Sequence, residues 1–160
     1  MSELKDLMLR EPRLTLAVGE SLTCGNVQAY IGRISGASEF FLGGITAYTL
    51  EQKVKLLGVN RGQAKSVNCV SAAIAEQMAR GAANLFGADL ALATTGYAEP
   101  CAEHEIAVPF AWWALARREG DNWSVQSHRV GCPDANRVEV QAAVTLAAIT
   151  GLLEHLRSAK

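Results

Sequence analysis

A serine stands where an apolar run of the chain gives way to a polar turn. The run begins at Leu14 and stops at Gly19, and Glu20, Ser21 and Thr23 follow before a segment of helical character. A side chain between a buried strand and the next helix lies at the edge of a sheet, beside free N–H groups of the first helical turn. Ser21 is therefore a candidate nucleophile with an oxyanion site beside it. The alternative interpretation is that Ser21 or Thr23 only caps the helix.

A serine nucleophile needs a base, and the three histidines are poorly placed to supply one. His104 lies in a polar loop, His128 in a strand with polar flanks, and His155 near the end of the last predicted helix. A lysine can take the proton when burial lowers its pKa. Lys53 lies at the edge of an apolar stripe on the helix after Thr49, so it is the lysine best placed to be partly buried. The alternative is a stem that covers apolar surface while the amine stays in water.

The composition favours a small-molecule enzyme over a nucleic-acid or membrane protein. The chain has 160 residues, 49% of them hydrophobic, which predicts a single domain over residues 1–160 with a sizeable core. Fifteen Lys and Arg balance sixteen Asp and Glu, for a net charge of -1 with no basic block. No apolar run approaches a bilayer span, and the first residues lack the core of a signal peptide. We expect a cytoplasmic protein that acts on a small amide or nucleotide.

The cysteines indicate neither a disulfide framework nor a zinc site. The four cysteines are scattered and form no CxxC pair. The stretch from Cys101 to Glu105 could supply half of a metal site, but no second ligand cluster accompanies it, so a polar loop is the simpler interpretation. We expect reduced thiols, no metal and no cofactor.

Alternating apolar runs and helical stripes predict the elements that position these residues. Strands are predicted over residues 14–18, 43–48, 88–96, 108–116 and 123–130. Helices are predicted over residues 24–34, 49–58, 71–87 and 136–156. The turn residues between the last two strands favour a hairpin. The order predicts an α/β fold, a three-layer domain with a mixed, mostly parallel sheet flanked by helices.

Helical spacing also predicts which side chains face the core. On the helix after Ser71, these are Ile74, Met78, Ala82 and Leu85. On the last helix, they are Val138, Ala142, Ile149, Leu152 and Leu156.

Three segments resemble the motifs of one family. "ESLTCG" is similar to E-S-C-T-G-G, "GGITAYTLEQKVKLLGV" to G-x-V-T-Y-S-N-E-A-K-x-x-x-L-G-V, and "ADLALATTGYAEP" to A-D-x-A-x-A-x-T-G-I-A-G-P. The segments occur in the same order and at similar spacing, and the similarity spans nearly the whole chain. The chain therefore resembles the CinA C-terminal domain, a family that includes the nicotinamide-nucleotide amidohydrolases.

The resemblance implies hydrolysis of nicotinamide mononucleotide to nicotinate mononucleotide and ammonia, a step of pyridine nucleotide salvage in NAD metabolism. It implies that Ser21 is the nucleophile, Lys53 the general base, Tyr48 a tyrosine that supports the pair, and Thr95 a hydroxyl before the glycine of the third motif. The implied substrate-binding residues are Thr23, Gly25, Gly96 and Arg137. We also expect a homo-oligomer.

The chain departs from the family pattern in the residues that would grip a phosphate. Family glycines are replaced at Cys24, Glu99, Ala102, Glu103 and Phe110, a lysine at Ala107, and an aspartate and arginine at Cys132 and Pro133. A loop whose backbone could approach a ligand has become bulky and acidic. We therefore expect weak binding of phosphate unless Arg129 or Arg137 compensates. Two hypotheses stay open: an amidohydrolase with a changed substrate, and an inactive paralogue that acts as a binding or interaction protein.

Overall fold

The computed structural model describes residues 2–159, which place a five-stranded sheet between two layers of helices. The strands are β1 (Leu16–Glu20), β2 (Phe41–Thr46), β3 (Leu90–Tyr97), β4 (Phe110–Glu119) and β5 (Asn122–Gly131). The helices are α1 (Glu3–Leu9), α2 (Asn26–Gly32), α3 (Leu50–Leu57), α4 (Arg61–Ser66), α5 (Ala72–Phe86) and α6 (Arg137–Ser158).

The sheet has the strand order β2-β1-β3-β4-β5. Strands β2, β1 and β3 are parallel, and β4 and β5 continue the sheet as an antiparallel hairpin. The predicted three-layer α/β fold with a mixed sheet is confirmed. From β1 the chain crosses to β2 through α2 on one face, and from β2 it crosses to β3 through α3, α4 and α5 on the other. Because the two crossovers lie on opposite faces of the sheet, a crevice opens at the carboxyl ends of the parallel strands.

The two faces of the sheet carry side chains of different size. Alternate residues of a strand face opposite layers. Ala17, Ala91 and Ala93 face the cluster that includes α5, whereas Leu16, Val18, Leu90 and Leu92 face the cluster that includes α1, α2 and α6. Small side chains allow a close approach, and in the same layer a Cβ on Gly81 of α5 would collide with the backbone of Leu57. Helix α3 is therefore held tightly against α5.

The structure corrects several predicted boundaries. Helix α2 begins at Asn26, not at residue 24, because Cys24 and Gly25 have φ of 46° and 94° and form a left-handed turn. Strand β1 continues through Gly19 to Glu20. The sequence analysis does not predict helices α1 and α4. The last two strands are longer than predicted and leave a turn at residues 120–121.

Two of the predicted core faces are partly wrong. In α5, Leu85 is 48% exposed, because the buried face centres on Ala75, Ala79 and Ala82 and leaves Leu85 at its border. In α6, Val138 is 71% exposed, and Ala142 is also exposed.

The buried face of α6 changes along the helix because its packing partner changes. In the first half, Val140 and Val144 pack with Leu22, Ala98 and Cys132. The second half packs Ile149, Leu152 and Leu156 against the leucine-rich face of the sheet. A single stripe therefore cannot describe the whole helix.

Candidate active site

The turn after β1 is organised by the buried carboxylate of Glu20. This group accepts hydrogen bonds from Thr23 Oγ1 at 2.6 Å, from the Val27 and Gln28 amides at 2.8 and 3.2 Å, and from Gln28 Nε2 at 2.8 Å. A carboxylate at the amino end of a helix satisfies free N–H groups and complements the helix dipole. Glu20 thereby fixes the turn that carries Ser21.

Both of the local interpretations made from the sequence need correction. The amides of Val27 and Gln28 in the first turn of α2 are not free for an oxyanion, since Glu20 occupies them. The interpretation of Ser21 or Thr23 as the helix cap is also wrong. Gly25 is the N-cap residue, and the acceptor that caps the helix is the carboxylate of Glu20. The amide of Ser21 itself donates to Thr94 Oγ1 at 3.3 Å.

Helix α3 brings Lys53 to Ser21. The helix begins after Thr49, whose side chain accepts a hydrogen bond from the Gln52 amide. Lys53 is only 2% exposed, and its Nζ lies 2.9 Å from Ser21 Oγ and donates to the Tyr48 carbonyl oxygen at 2.8 Å. Desolvation by burial lowers the pKa of the Lys53 amine. A neutral amine at this distance can accept the Ser21 proton.

The pair opens into a cavity of about 380 Å³ at the carboxyl ends of the parallel strands. Six of the eight predicted site residues line the cavity: Ser21, Lys53, Tyr48, Thr95, Gly96 and Arg137. Pockets of this size accept small-molecule ligands.

The structure does not bring Thr23 and Gly25 to the cavity. The Thr23 hydroxyl is buried between Glu20 and Thr94 Oγ1, at 2.6 and 2.8 Å. Gly25 provides the left-handed residue of the turn before α2. Their predicted contact with substrate therefore has no geometric support, because both residues build the turn itself.

The hydroxyls of Tyr48 and Thr95 form hydrogen bonds with residues other than Ser21 and Lys53. Tyr48 contacts Lys53 through its backbone carbonyl, while its hydroxyl accepts a hydrogen bond from Arg137 at 3.4 Å. Thr95 Oγ1 donates to the Cys69 carbonyl oxygen at 2.6 Å. In this arrangement Tyr48 supports the amine through its main chain, and Thr95 ties β3 to the segment that carries Cys69.

Arg137 lies at the start of α6, where it lines the same cavity. Asn136 and Glu139 form a reciprocal capping box that begins the helix. The Arg137 guanidinium donates to Glu99 Oε1 at 2.6 Å, and this hydrogen bond lowers the pKa of the Glu99 carboxyl. The single predicted arginine of the site is thus engaged by an acidic residue of the loop after β3.

Sequence reasoning assigned no role to Glu20 or Cys69. Glu20 stood inside the first motif, and its position just before a helix was the available signal for a capping role. Cys69 lines the cavity beside Lys53, and burial raises the pKa of its thiol. Its backbone φ of 62° places it in a left-handed turn that the sequence did not indicate.

The histidines and the acidic loop form no centre separate from the cavity that contains Ser21, and His104 of that loop lines this cavity. His128 stacks on Trp113, and His155 lies in α6, where burial lowers its pKa. Residues 102–104 form a short 3-10 turn closed by pairing of Cys101 with Ile106. Within residues 2–159, no three His, Cys, Asp or Glu side chains are grouped to hold a metal ion, and no helix has the length and apolarity to cross a membrane. The absence of a metal, the homo-oligomer and the cytoplasmic location stay predictions.

Fold and site together define a three-layer α/β protein with a buried serine–lysine pair at the carboxyl edge of its parallel strands. The chain belongs to the CinA C-terminal domain family, whose pattern matches residues 1–156. It is 38% identical over 155 residues to a CinA-like protein of Picosynechococcus sp. and 40% identical over 147 residues to one of Geobacter sulfurreducens. These matches cover 96% and 91% of the chain but 36% and 33% of the relatives. The chain thus spans about a third of their length.

Solved structures share the fold over nearly the whole chain. The competence or damage-inducible protein from Enterobacter asburiae superposes with a TM-score of 0.87 at 22% identity, covering 96% of this chain and 94% of that one. The competence damage-inducible protein A from Klebsiella pneumoniae gives a TM-score of 0.84 at 26% identity, with 99% and 98% covered.

Proposed function

We propose that this chain is a metal-independent amidohydrolase that cleaves a small primary carboxamide, either nicotinamide mononucleotide or a related amide. The proposal rests on one observation: the buried Lys53 amine lies 2.9 Å from Ser21 Oγ at the wall of a cavity. A serine activated by a lysine is one established form of nucleophilic catalysis.

In the first half-reaction, Ser21 Oγ attacks the carboxamide carbon while Lys53 Nζ takes the hydroxyl proton. The tetrahedral intermediate collapses with cleavage of the C–N bond, and Lys53 returns the proton to the leaving nitrogen, which departs as ammonia. The products of this half-reaction are ammonia and an ester of Ser21.

In the second half-reaction, water attacks the ester carbon and Lys53 takes one proton from it. Cleavage of the bond to Oγ releases the carboxylic acid, and Lys53 returns the proton to Ser21. The Tyr48 carbonyl, 2.8 Å from Nζ, keeps the amine oriented toward Ser21 through both steps.

Ammonia release by the purified protein tests the proposal. The substrates are nicotinamide mononucleotide, nicotinamide riboside and a panel of small primary amides. We expect release from at least one amide, abolished in Ser21→Ala and Lys53→Met but retained in Lys55→Met, which changes an exposed lysine of the same helix. Release that persists in Ser21→Ala would contradict the proposal.

One observation favours the alternative, an inactive paralogue that binds a ligand or a partner. The arginine of the cavity is already engaged by Glu99. For this candidate, we expect saturable binding of a small ligand without ammonia release from any amide of the panel.

A further inference from the structure

We propose that Glu99 occupies the anion position in front of Arg137, so that the cavity selects an uncharged or cationic carboxamide and disfavours one that carries a phosphate or carboxylate. This inference rests on the proposed function for the reaction, but the binding preference can be measured without turnover.

The geometry around Arg137 supports this assignment. Its guanidinium donates to Glu99 Oε1 at 2.6 Å and to the Tyr48 hydroxyl at 3.4 Å. All three residues line the cavity that contains Ser21. A carboxylate on a guanidinium makes the charge-assisted contact that a ligand's anionic group would otherwise make. An anionic ligand must therefore displace Glu99 or bind without Arg137.

No other lysine or arginine among the described residues lining the cavity replaces this contact. Lys53 is buried and directed to Ser21 and the Tyr48 carbonyl. Arg129, considered from the sequence as a substitute, lies over the ring of Phe110 at 4.1 Å. Glu103 adds a second carboxylate to the cavity wall. An incoming phosphate thus meets a guanidinium that is already paired with Glu99, while Glu103 and His104 on the same wall are exposed to solvent, which screens their charges.

A carboxamide without an anionic group leaves the pair between Arg137 and Glu99 intact. The ligand class assigned by this arrangement is a small carboxamide without an anionic substituent.

The test compares nicotinamide riboside with nicotinamide mononucleotide, which differ by one phosphate. Binding is measured by titration calorimetry in Ser21→Ala protein, which blocks turnover. We expect the riboside to bind at least ~10-fold more tightly than the mononucleotide. Adding Glu99→Gln removes the charge that competes for Arg137 and leaves only a weaker neutral hydrogen bond, which should tighten mononucleotide binding by ~10-fold or more, with riboside affinity changed by less than ~3-fold.

Glu103→Gln is the matched control, since it removes the same charge from the same cavity at a residue that does not pair with Arg137. We expect it to change mononucleotide affinity by less than ~3-fold. The assignment would be overturned by equal gains in mononucleotide affinity in the two variants. It would also be overturned if protein with Glu99 intact bound the mononucleotide as tightly as the riboside, or bound neither compound. Failure of the proposed function shows separately, as an absence of ammonia release from protein that still discriminates between the two compounds.

Discussion

At the residue scale, the site depends on a lysine that folding removes from water. The helical position of Lys53 predicted partial burial, and the structure shows the side chain almost completely buried, with its amine within hydrogen-bond distance of Ser21 Oγ. The sequence could not supply the distance between the two groups, because that depends on how α3 packs on α5 through Gly81. Nor could it reveal that the Tyr48 carbonyl, rather than its hydroxyl, contacts the amine.

The rate of amide hydrolysis should rise with pH and then level off. Only the neutral amine of Lys53 can accept the Ser21 proton, and burial lowers its pKa below the ordinary value of 10.5. The midpoint of the profile, measured as kcat/KM for ammonia release, is expected below that value. Lys53→Arg should lower the rate about 10²- to 10⁴-fold, since a guanidinium does not deprotonate in this range. A profile that falls with rising pH would exclude Lys53 as the base.

Replacing Lys53 should also stabilise the folded protein while it abolishes activity. The folded-state pKa is lower than the unfolded-state pKa, so between the two values the unfolded chain binds more protons and stability rises with pH. At pH values below that window, the amine is charged in both states, and its desolvation destabilises the folded wild type. Lys53→Met removes this destabilisation. We expect a gain of about 1 kcal/mol in the free energy of unfolding at neutral pH.

Urea denaturation over a range of pH measures this gain. The control, Lys55→Met, changes an exposed lysine of the same helix and should shift stability by less than about 0.5 kcal/mol. A Lys53→Met protein less stable than the wild type at neutral pH would refute the argument.

At the element scale, local signals predicted helices and strands well where a cap or an apolar run marked them. Thr49 and Ser71 cap the helices predicted over residues 49–58 and 71–87, and Gly58 and Gly87 end them. The prediction failed where distant contacts decide the structure. The left-handed turn at Cys24 and Gly25 depends on Glu20, and the face of α6 that begins with Val140 depends on the partners of that helix.

Glu20→Gln should destabilise the protein and impair catalysis together. In the wild type, the Glu20 carboxylate accepts four hydrogen bonds. The glutamine amide replaces one of its two acceptor oxygens by a donor, so some of these hydrogen bonds are lost. Leaving buried donors unpaired is expected to cost about 1–3 kcal/mol in urea denaturation. Glu51→Gln, which breaks only an exposed pair with Arg61, is the control and should cost less than about 1 kcal/mol. Equal losses in the two variants would show that Glu20 does not organise the turn.

At the scale of the whole molecule, the two hydrophobic layers share one sheet. Residues adjacent in β1 and β3 alternate between the layers, so a layer that loses its packing exposes one face of the strands whose other face belongs to the second layer. The single domain over residues 1–160 stays a prediction, and this shared sheet is the physical reason to expect it.

Unfolding should therefore proceed in one transition seen equally from both layers. Trp113 packs in the layer with α6, whereas Trp112 and Trp123 pack against the layer with α5, so tryptophan fluorescence can report on each layer separately. We expect proteins that keep only Trp113, or only Trp112 and Trp123, to give the same urea midpoint by fluorescence as by far-UV circular dichroism. Leu152→Ala opens a cavity only in the layer with α6 and should lower the free energy of unfolding by about 2–5 kcal/mol. Both sets of tryptophans should then report the same lower urea midpoint. If Trp113 alone reported the loss, the layers would unfold independently and the cooperative sheet would be the wrong description.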